Sequence, residues 1–128
     1  MYKRQGVQTA LVLDGVNDYV SIPSSSALDF GGTDPFTFEA WVNLEGSGSS
    51  SEQNILSKGE DSTGVAFRWG IYTNGNHYMW NNNSYVNSGD AFNSYWDTWT
   101  HLAASFDGTR LRMYINGCLL YTSDAADD

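Results

Sequence analysis

Aromatic and amide side chains are crowded into one segment of this sequence, YTNGNHYMWNNNSYVNSGDAFNSYWDTW, residues 72–99. The apolar faces of pyranose rings stack on Trp or Tyr, while amides and backbone groups hydrogen-bond the sugar hydroxyls. The segment therefore predicts a sugar-binding surface. The candidate ligand residues are Tyr78, Trp80, Tyr85, Tyr95 and Trp96. The alternative is structural, with alternate aromatics of a strand over residues 77–82 in the core and with Trp96 and Trp99 packed beneath a loop.

A second candidate site is the motif LDGVNDYV, in which Asp14, Asn17 and Asp18 place three oxygen-bearing side chains within five residues. Ca²⁺ takes roughly six to eight oxygen ligands in proteins, so the motif predicts part of a calcium site. Asp and Asn are also common turn formers, because their side chains accept hydrogen bonds from nearby backbone N–H groups. Both interpretations stay open for this loop, whereas Asp107 in FDGTR is interpreted as a turn former.

The carboxylates of this sequence lack the spacing that glycoside hydrolysis requires. A retaining glycosidase needs two carboxyl groups about 5 to 5.5 Å apart, which alternate acids on one strand would provide. Glu39 is followed at alternate positions by Trp41 and Asn43 instead. The segment SKGEDSTGVAFRW also differs from the aspartate box of sialidases, since Asp61 and Gly64 are one residue too far apart. The sequence therefore predicts a protein that is not an enzyme.

The remaining ionisable side chains favour structure over chemistry. Only two histidines are present, His77 and His101, and no nucleophile-elbow motif accompanies them, so a hydrolytic triad has little support. Glu39 and Arg68 are expected to face each other across a sheet surface. Such a pair either anchors a ligand hydroxyl or neutralises a half-buried acid, and we favour the second interpretation. His101 is interpreted as a packing residue.

Turn dipeptides at short intervals divide the chain into strands, as an antiparallel sandwich requires. In Asn-Gly and Asp-Gly the second residue takes a positive φ without steric cost, so these dipeptides close tight hairpins. The fold class predicted is all-β, a two-sheet antiparallel β-sandwich. The predicted strands are residues 10–13, 19–22, 36–44, 54–58, 65–73, 77–82, 99–106 and 110–115.

Alternating apolar residues along these strands predict a single core. The expected core residues are Phe36, Phe38, Ala40, Val42, Leu44, Phe67, Trp69, Ile71, Leu102, Ala104, Phe106, Leu111, Met113 and Ile115, with Leu11, Leu13, Val20 and Ile22 from the first two strands. The opposite faces are mixed rather than plainly polar, which indicates a broad amphipathic sheet surface. Its residues are Glu39, Trp41, Arg68, Tyr72, His101, Arg112 and Tyr114.

Length and charge limit the partners. The 128 residues suit one domain, and fifteen acids against six bases give a net charge of −9. This charge repels nucleic acid and anionic membranes and favours cations or neutral partners. No segment reaches the roughly 20 apolar residues of a membrane span, and MYKRQGVQT lacks the apolar stretch of a signal peptide. We expect neither a nucleic-acid partner nor membrane insertion, and the single cysteine, Cys118, leaves the compartment open.

Four blocks, in order and spacing, resemble the laminin-G-like family of the concanavalin A-like superfamily: ALVLDGVNDYVSIP, FTFEAWVNL, ILSKG and WTHLAASFDGTRLRMYING. The resemblance covers about residues 10–117. It implies a two-sheet jelly roll that serves as a module of secreted or cell-surface proteins and binds glycans or proteins, in some members with a calcium ion at the rim. It also implies that the native domain continues past Gly117.

The last eleven residues, CLLYTSDAADD, resemble the translation of a transposase-type sequencing-library adapter. On this interpretation residues 118–128 are a non-native tail, and residues 1–117 are a laminin-G-like domain that is incomplete at its C-terminus. Open strand edges would then make the isolated chain marginally stable and prone to self-association. The alternative is a natural strand over residues 119–122 followed by an acidic tail.

The expected function is non-catalytic recognition of carbohydrate or another surface ligand by one module of a longer extracellular protein, here a metagenomic fragment. The expected partner is a glycan or a cell-surface protein, with calcium as the candidate cofactor. Two alternatives remain: an adhesive protein-protein interaction module that uses a sheet face, and an accessory or catalytic part of a glycoside hydrolase.

Overall fold

A computed structural model describes residues 9–30, 33–46, 52–59, 67–81 and 84–124 of the chain. Within these ranges it has eight strands and two short 3-10 helices, Ser26–Leu28 and Ala91–Ser94. The strands are β1 (Phe36–Val42), β2 (Glu52–Lys58), β3 (Phe67–Tyr72), β4 (His77–Asn81), β5 (Ser84–Asn87), β6 (Thr100–Phe106), β7 (Arg110–Ile115) and β8 (Cys118–Asp124).

The strands form two antiparallel sheets of four strands each, which confirms the predicted all-β sandwich. The first sheet has the order β1-β6-β7-β8, and the second has the order β2-β3-β4-β5. Consecutive strands of each hairpin pair directly, as short connections dictate. The β7–β8 hairpin turns at Asn116 and Gly117, which both have positive φ, as the Asn-Gly signal predicts.

The core lies between the two sheets and includes most of the alternate residues that the sequence pattern predicts for the central strands. Leu102, Ala104 and Phe106 of β6 and Leu111, Met113 and Ile115 of β7 are all buried. The second sheet contributes Phe67, Trp69, Ile71, Met79 and Val86. Burial of each large side chain contributes about 1.5 to 3 kcal/mol, so the facing apolar layers hold the sheets together.

Five phenylalanines link the two sheets through ring contacts. On the first sheet, the rings of Phe36 and Phe38 stack with centroids 4.7 Å apart, and Phe106 lies 5.7 Å from Phe36. Phe38 reaches Phe67 of the second sheet at 5.0 Å. Phe30, which precedes β1, contacts Phe36, Phe38 and Phe67 at 5.5 to 6.0 Å. These stacked, tilted and edge contacts add about 0.5 to 1.5 kcal/mol per pair beyond simple burial.

The first two predicted strands are wrong. Residues 10–13 and 19–22 form no strand, and the four side chains expected in the core are 50 to 70% exposed: Leu11, Leu13, Val20 and Ile22. Alternation favours a strand only when a neighbouring strand completes its backbone hydrogen bonds. The hydrogen bonds of residues 14–18 are local to their own loop.

Two strands were not among the eight predicted. β5 has only four residues, too few for alternation to stand out, and β8 falls on the segment interpreted as a non-native tail. β8 pairs with β7 from Arg110 opposite Asp124 to Ile115 opposite Cys118. The predicted residues 65, 66 and 82 lie outside the described ranges, as do residues 125–128, Asp61 and Gly64.

Candidate functional site

The outer surface of the second sheet gathers aromatic, amide and charged side chains. Since Trp69, Ile71, Met79 and Val86 point into the core, their neighbours along each strand point outward. Register places Arg68 opposite Trp80 and Trp80 opposite Tyr85. We call this surface the aromatic face, and it consists of Glu52, Asn54, Arg68, Tyr72, Tyr78, Trp80, Tyr85 and Asn87.

Tyr78 crosses the centre of the aromatic face. It stands on β4 opposite Gly70 of β3, and Gly70 stands opposite Asn54 of β2. Its phenol donates to Asn54 Oδ1 at 2.6 Å, so the side chain spans the strand on which glycine leaves room. The Tyr72 ring packs against it with centroids 4.3 Å apart. Tyr78 is therefore only 1% exposed although it lies outside the core.

A directed hydrogen-bond chain runs along one side of this face. Asn87 Nδ2 donates to the Tyr85 hydroxyl at 3.1 Å, and Asn87 Oδ1 accepts from the backbone of Gly89. Tyr72 is hydrogen-bonded to both Tyr85 and Glu52. Because an ionised carboxylate only accepts, Tyr72 donates to Glu52 and is left to accept from Tyr85. These hydrogen bonds fix the ring of Tyr85, a residue that is 47% exposed.

The charges on the aromatic face lie close together. Arg68 Nη1 is 3.9 Å from Glu52 Oε2, an ion pair longer than a hydrogen bond. Burial, with smaller contributions from Tyr85 and Glu52, raises the pKa of Tyr72 to about 12. Burial and then Glu52 also raise the pKa of Tyr78. Both phenols therefore remain neutral hydrogen-bond donors at physiological pH.

The structure brings three of the five predicted ligand aromatics together. Trp80 and Tyr85 are neighbours, partly exposed and exposed respectively, whereas Tyr78 is buried and packs against Tyr72. Tyr95 and Trp96 instead pack against the core. Their rings lie 5.9 and 4.9 Å from that of Phe92, which is fully buried. This agrees with the structural alternative for Trp96, whereas Trp99, the other aromatic of that alternative, is 53% exposed.

The Asp14 loop has the geometry of a turn. Asp14 Oδ1 accepts from the backbone N–H groups of Val16 and Asn17, and Asp18 Oδ2 accepts from that of Asp14. The second carboxylate oxygens and the Asn17 amide oxygen are of the type that Ca²⁺ binds, but they are fewer than its usual ligand number. In the described ranges no three His, Cys, Asp or Glu side chains group as a metal site. Calcium binding here stays a prediction.

Asp107 is a turn former, as interpreted. Its Oδ1 accepts from the backbone N–H groups of Arg110 at 2.7 Å and Thr109 at 2.9 Å, and its Oδ2 accepts from Arg112 Nη1 at 2.7 Å. These bonds, that from Arg110 first, lower the pKa of Asp107 to about 2. The carboxylate thus holds the β6–β7 hairpin closed.

A family comparison agrees with this geometry. A laminin G model, described as the concanavalin A-like lectin/glucanases superfamily, matches residues 14–128. The chain belongs to this family. The match confirms the resemblance carried by the sequence blocks, and it supports a carbohydrate- or ligand-binding module in general. No curated protein and no solved structure matched the chain.

Laminin-G-like domains are generally non-catalytic, and members of this lectin-like superfamily bind glycans or extracellular ligands. No helix in the described ranges is both long and apolar enough to cross a membrane.

The predicted pairing of Glu39 with Arg68 is wrong, because Glu39 lies on β1 of the first sheet and Arg68 on β3 of the second. Glu39 Oε2 instead lies 3.5 Å from His101 Nε2.

The outer surface of the first sheet is a separate candidate interface of the laminin-G-like domain. Trp41 is 66% exposed, and its ring lies 5.3 Å from that of His101 on the adjacent strand. Leu119 stands opposite Tyr114 on the same surface and is 54% exposed. The mixed face expected from the sequence is therefore two surfaces, one on each sheet.

Sequence reasoning missed three polar members of the aromatic face: Glu52, Asn54 and Asn87. Glu52 and Asn54 reach the face because β2 pairs with β3, a register that no local motif encodes. Asn87 could have been found from the local sequence, since it lies two residues after Tyr85 in a short strand and so faces the same side of the sheet. Recognising β5 from the sequence would have placed Asn87 beside Tyr78.

Proposed function

We propose that this laminin-G-like domain is a non-catalytic carbohydrate-binding module and that the aromatic face is its binding surface. The observation that carries the proposal is the pairing of Trp80 with Tyr85, two rings side by side on an outer sheet surface. Amide and charged groups surround them and are suited to sugar hydroxyls. Aromatic stacking with peripheral hydrogen bonds is how proteins hold pyranose rings.

The buried part of the face supports the proposal through preorganisation. Tyr78 is fixed by Asn54 and Tyr72, and Tyr85 is fixed by Asn87 and Tyr72. Ligand binding then orders few side chains, which would otherwise cost about 0.5 to 1.5 kcal/mol each. The rings are held in place before a sugar arrives.

The test is glycan-array screening followed by calorimetry with Trp80→Ala and Tyr85→Ala. Loss of one stacking ring is expected to weaken binding about tenfold or more, on the scale of aromatic contacts. Trp41→Ala, which removes an exposed Trp from the other sheet, is the matched control and should bind as the wild type does. Binding that survives both substitutions on the aromatic face would refute its role.

A second candidate function is protein-protein adhesion through the first sheet. The exposed Trp41 and Leu119 favour it, since hydrophobic surface of this kind is common at interaction sites. Adhesion would be supported if the domain bound a protein partner and bound no glycan. Trp41→Ala should then abolish binding to that partner, and Trp80→Ala should leave it intact.

The cellular context is part of the same proposal. We place the domain outside the cell or at its surface, within a longer secreted protein, where glycans and surface proteins are its partners. Nucleic acid is an unsuitable partner for a chain of net charge −9.

The hydrolase alternative would use Glu39 as one catalytic carboxylate. The alternate residues on the same surface of β1 are Thr37 and Trp41, so the strand supplies no second carboxylate beside it. Turnover abolished by Glu39→Gln would revive it.

A further inference from the structure

The charge of the aromatic face indicates which glycans it accepts, provided that the proposed function holds. Among the outward-facing residues described for β2 to β5, Glu52 and Arg68 are the charged ones. They lie 3.9 Å apart on the same surface, so their fields largely offset each other for any ligand larger than that separation. The face as a whole is neutral.

The remaining polar groups of the face are uncharged. Tyr72 donates to Glu52, and Tyr78 donates to Asn54, so neither phenol supplies a negative charge or a free donor to an anion. The amides of Asn54 and Asn87 both donate and accept, as sugar hydroxyls do. This set of groups matches hydroxyls better than carboxylates.

The charge of the whole chain acts in the same direction. With fifteen acids against six bases, the molecule repels anions beyond the immediate site. A ligand carboxylate held by the Arg68 guanidinium would also lie close to the carboxylate of Glu52, 3.9 Å from Arg68, and the two like charges would repel each other. From these observations we infer that the aromatic face selects neutral oligosaccharides over acidic ones.

The layout of the face also indicates an extended ligand. Outward residues continue across all four strands, from Glu52 and Asn54 on β2 to Tyr85 and Asn87 on β5. Three spacings between adjacent strands measure about 14 Å, which exceeds one sugar ring. The preferred ligand is an oligosaccharide that lies across the strands.

The experiment compares each neutral hexasaccharide with its counterpart oxidised to a carboxylate at C6: glucan with glucuronan, galactan with galacturonan, and mannan with mannuronan. Affinities are measured by calorimetry at low salt. The wild type should bind at least one neutral member about tenfold more tightly than its acidic counterpart, a ratio within the reach of electrostatic discrimination.

Charge substitutions on the face test the cause of this preference. Glu52→Gln leaves Arg68 uncompensated and should lower the neutral-to-acidic ratio at least threefold, whereas Arg68→Gln should raise it. Glu39→Gln makes the same change in net charge on the other sheet and should leave the ratio unchanged. Thermal melts confirm that each variant is folded.

The outcomes separate this inference from the proposed function. Preference for the acidic hexasaccharides, equal affinity within every pair, or an unchanged ratio in Glu52→Gln would overturn the inference while glycan binding itself stands. Failure of the wild type to bind any hexasaccharide would overturn both.

Discussion

His77 is an imidazole buried in the core between the two sheets. The indole Nε1–H of Trp69 donates to its Nε2 at 2.7 Å, so this nitrogen is unprotonated and the neutral ring carries its hydrogen on Nδ1. Among the described residues, Nδ1 has no hydrogen-bond partner. Protonation would place an N–H on Nε2 directly against the indole N–H of Trp69, and burial lowers the pKa of His77 to about 4.

The depressed pKa of His77 predicts a loss of stability in mild acid. The unfolded chain takes up this proton near pH 6.5, but the folded chain takes it up only near pH 4. The free energy of unfolding should therefore fall between pH 6.5 and pH 4, by on the order of 3 kcal/mol, and His77 should add no slope below that window. Urea unfolding at pH 7.5, 5.5 and 4 measures the loss.

His77→Gln is the control for this pH dependence, because its amide oxygen can still accept from Trp69 but does not titrate. Its absolute stability is secondary, since only the slope with pH is compared. An equal slope in the variant would show that other groups cause the loss. Asp107 acts in a lower window, because its depressed pKa of about 2 removes stability only as the pH falls below about 4.

The Asp14 loop gives the other prediction at the residue scale. If Asp14, Asn17 and Asp18 bind Ca²⁺, millimolar calcium should raise the melting temperature of the wild type, because a ligand that binds only the folded state stabilises it. Asp18→Asn should lose most of this increase. Magnesium, which prefers octahedral sites with several waters, should have a smaller effect. An identical calcium response in both proteins would remove the loop from consideration.

Gly70 shows how an element, rather than a residue, sets the shape of the aromatic face. A Cβ at this position would overlap the carbonyl oxygen of Gln53 on β2, where the pairing of β2 with β3 shifts register between Asn54 and Leu56. The obstacle is backbone and does not rotate away. Glycine on β3 thus permits both the irregular pairing and the passage of Tyr78 to Asn54.

Gly70→Ala is therefore expected to destabilise the domain by about 1 to 3 kcal/mol, the usual cost of forcing extra volume into a packed site. It should also weaken glycan binding, since a displaced β2 moves Asn54 and Glu52. Thr37→Ser, at an exposed position of β1 on the other sheet, is the control and should change neither property measurably. Denaturant unfolding with calorimetry checks both, and wild-type stability in Gly70→Ala would contradict this account.

The same elements show how much of the fold follows from the sequence. β1, β6 and β7 are long enough for alternation to identify both the strand and its buried side, and Phe38 and Leu102 lie where that pattern predicts. Residues 10–13 alternate equally well but remain unpaired. Local sequence encodes a preference for extended backbone, whereas hydrogen bonding into a sheet depends on whether a distant segment of the chain lies alongside.

The candidate site was predictable to a similar degree. Aromatic and amide content identified the region, and Trp80 and Tyr85 do share one face. Composition could not separate them from Trp96, because a 3-10 helix, Ala91–Ser94, turns the following aromatics toward Phe92. Nor could it place Arg68 beside Glu52 and far from Glu39, since sheet membership depends on strand order.

At the scale of the whole molecule, two features affect self-association in opposite directions: an exposed apolar segment and a net negative charge. Between residues 11 and 22, seven large apolar side chains are at least half exposed: Leu11, Val12, Leu13, Val16, Tyr19, Val20 and Ile22. Contiguous apolar surface of this kind favours association. The net charge of −9 opposes it by repulsion between copies.

Salt should therefore decide the oligomeric state. At about 0.1 M ionic strength charges are screened beyond roughly 10 Å, and at 1 M beyond roughly 3 Å, whereas apolar burial is not weakened. Sedimentation velocity should show more self-association at the higher salt. Substitution of Leu11, Val20 and Ile22 by Ser should keep the chain monomeric in both buffers. Trp41→Ser removes one exposed apolar residue from the first sheet and should leave the association unchanged. If it alone abolished association, the interface would lie on that sheet and the segment of residues 11–22 would have no part in it.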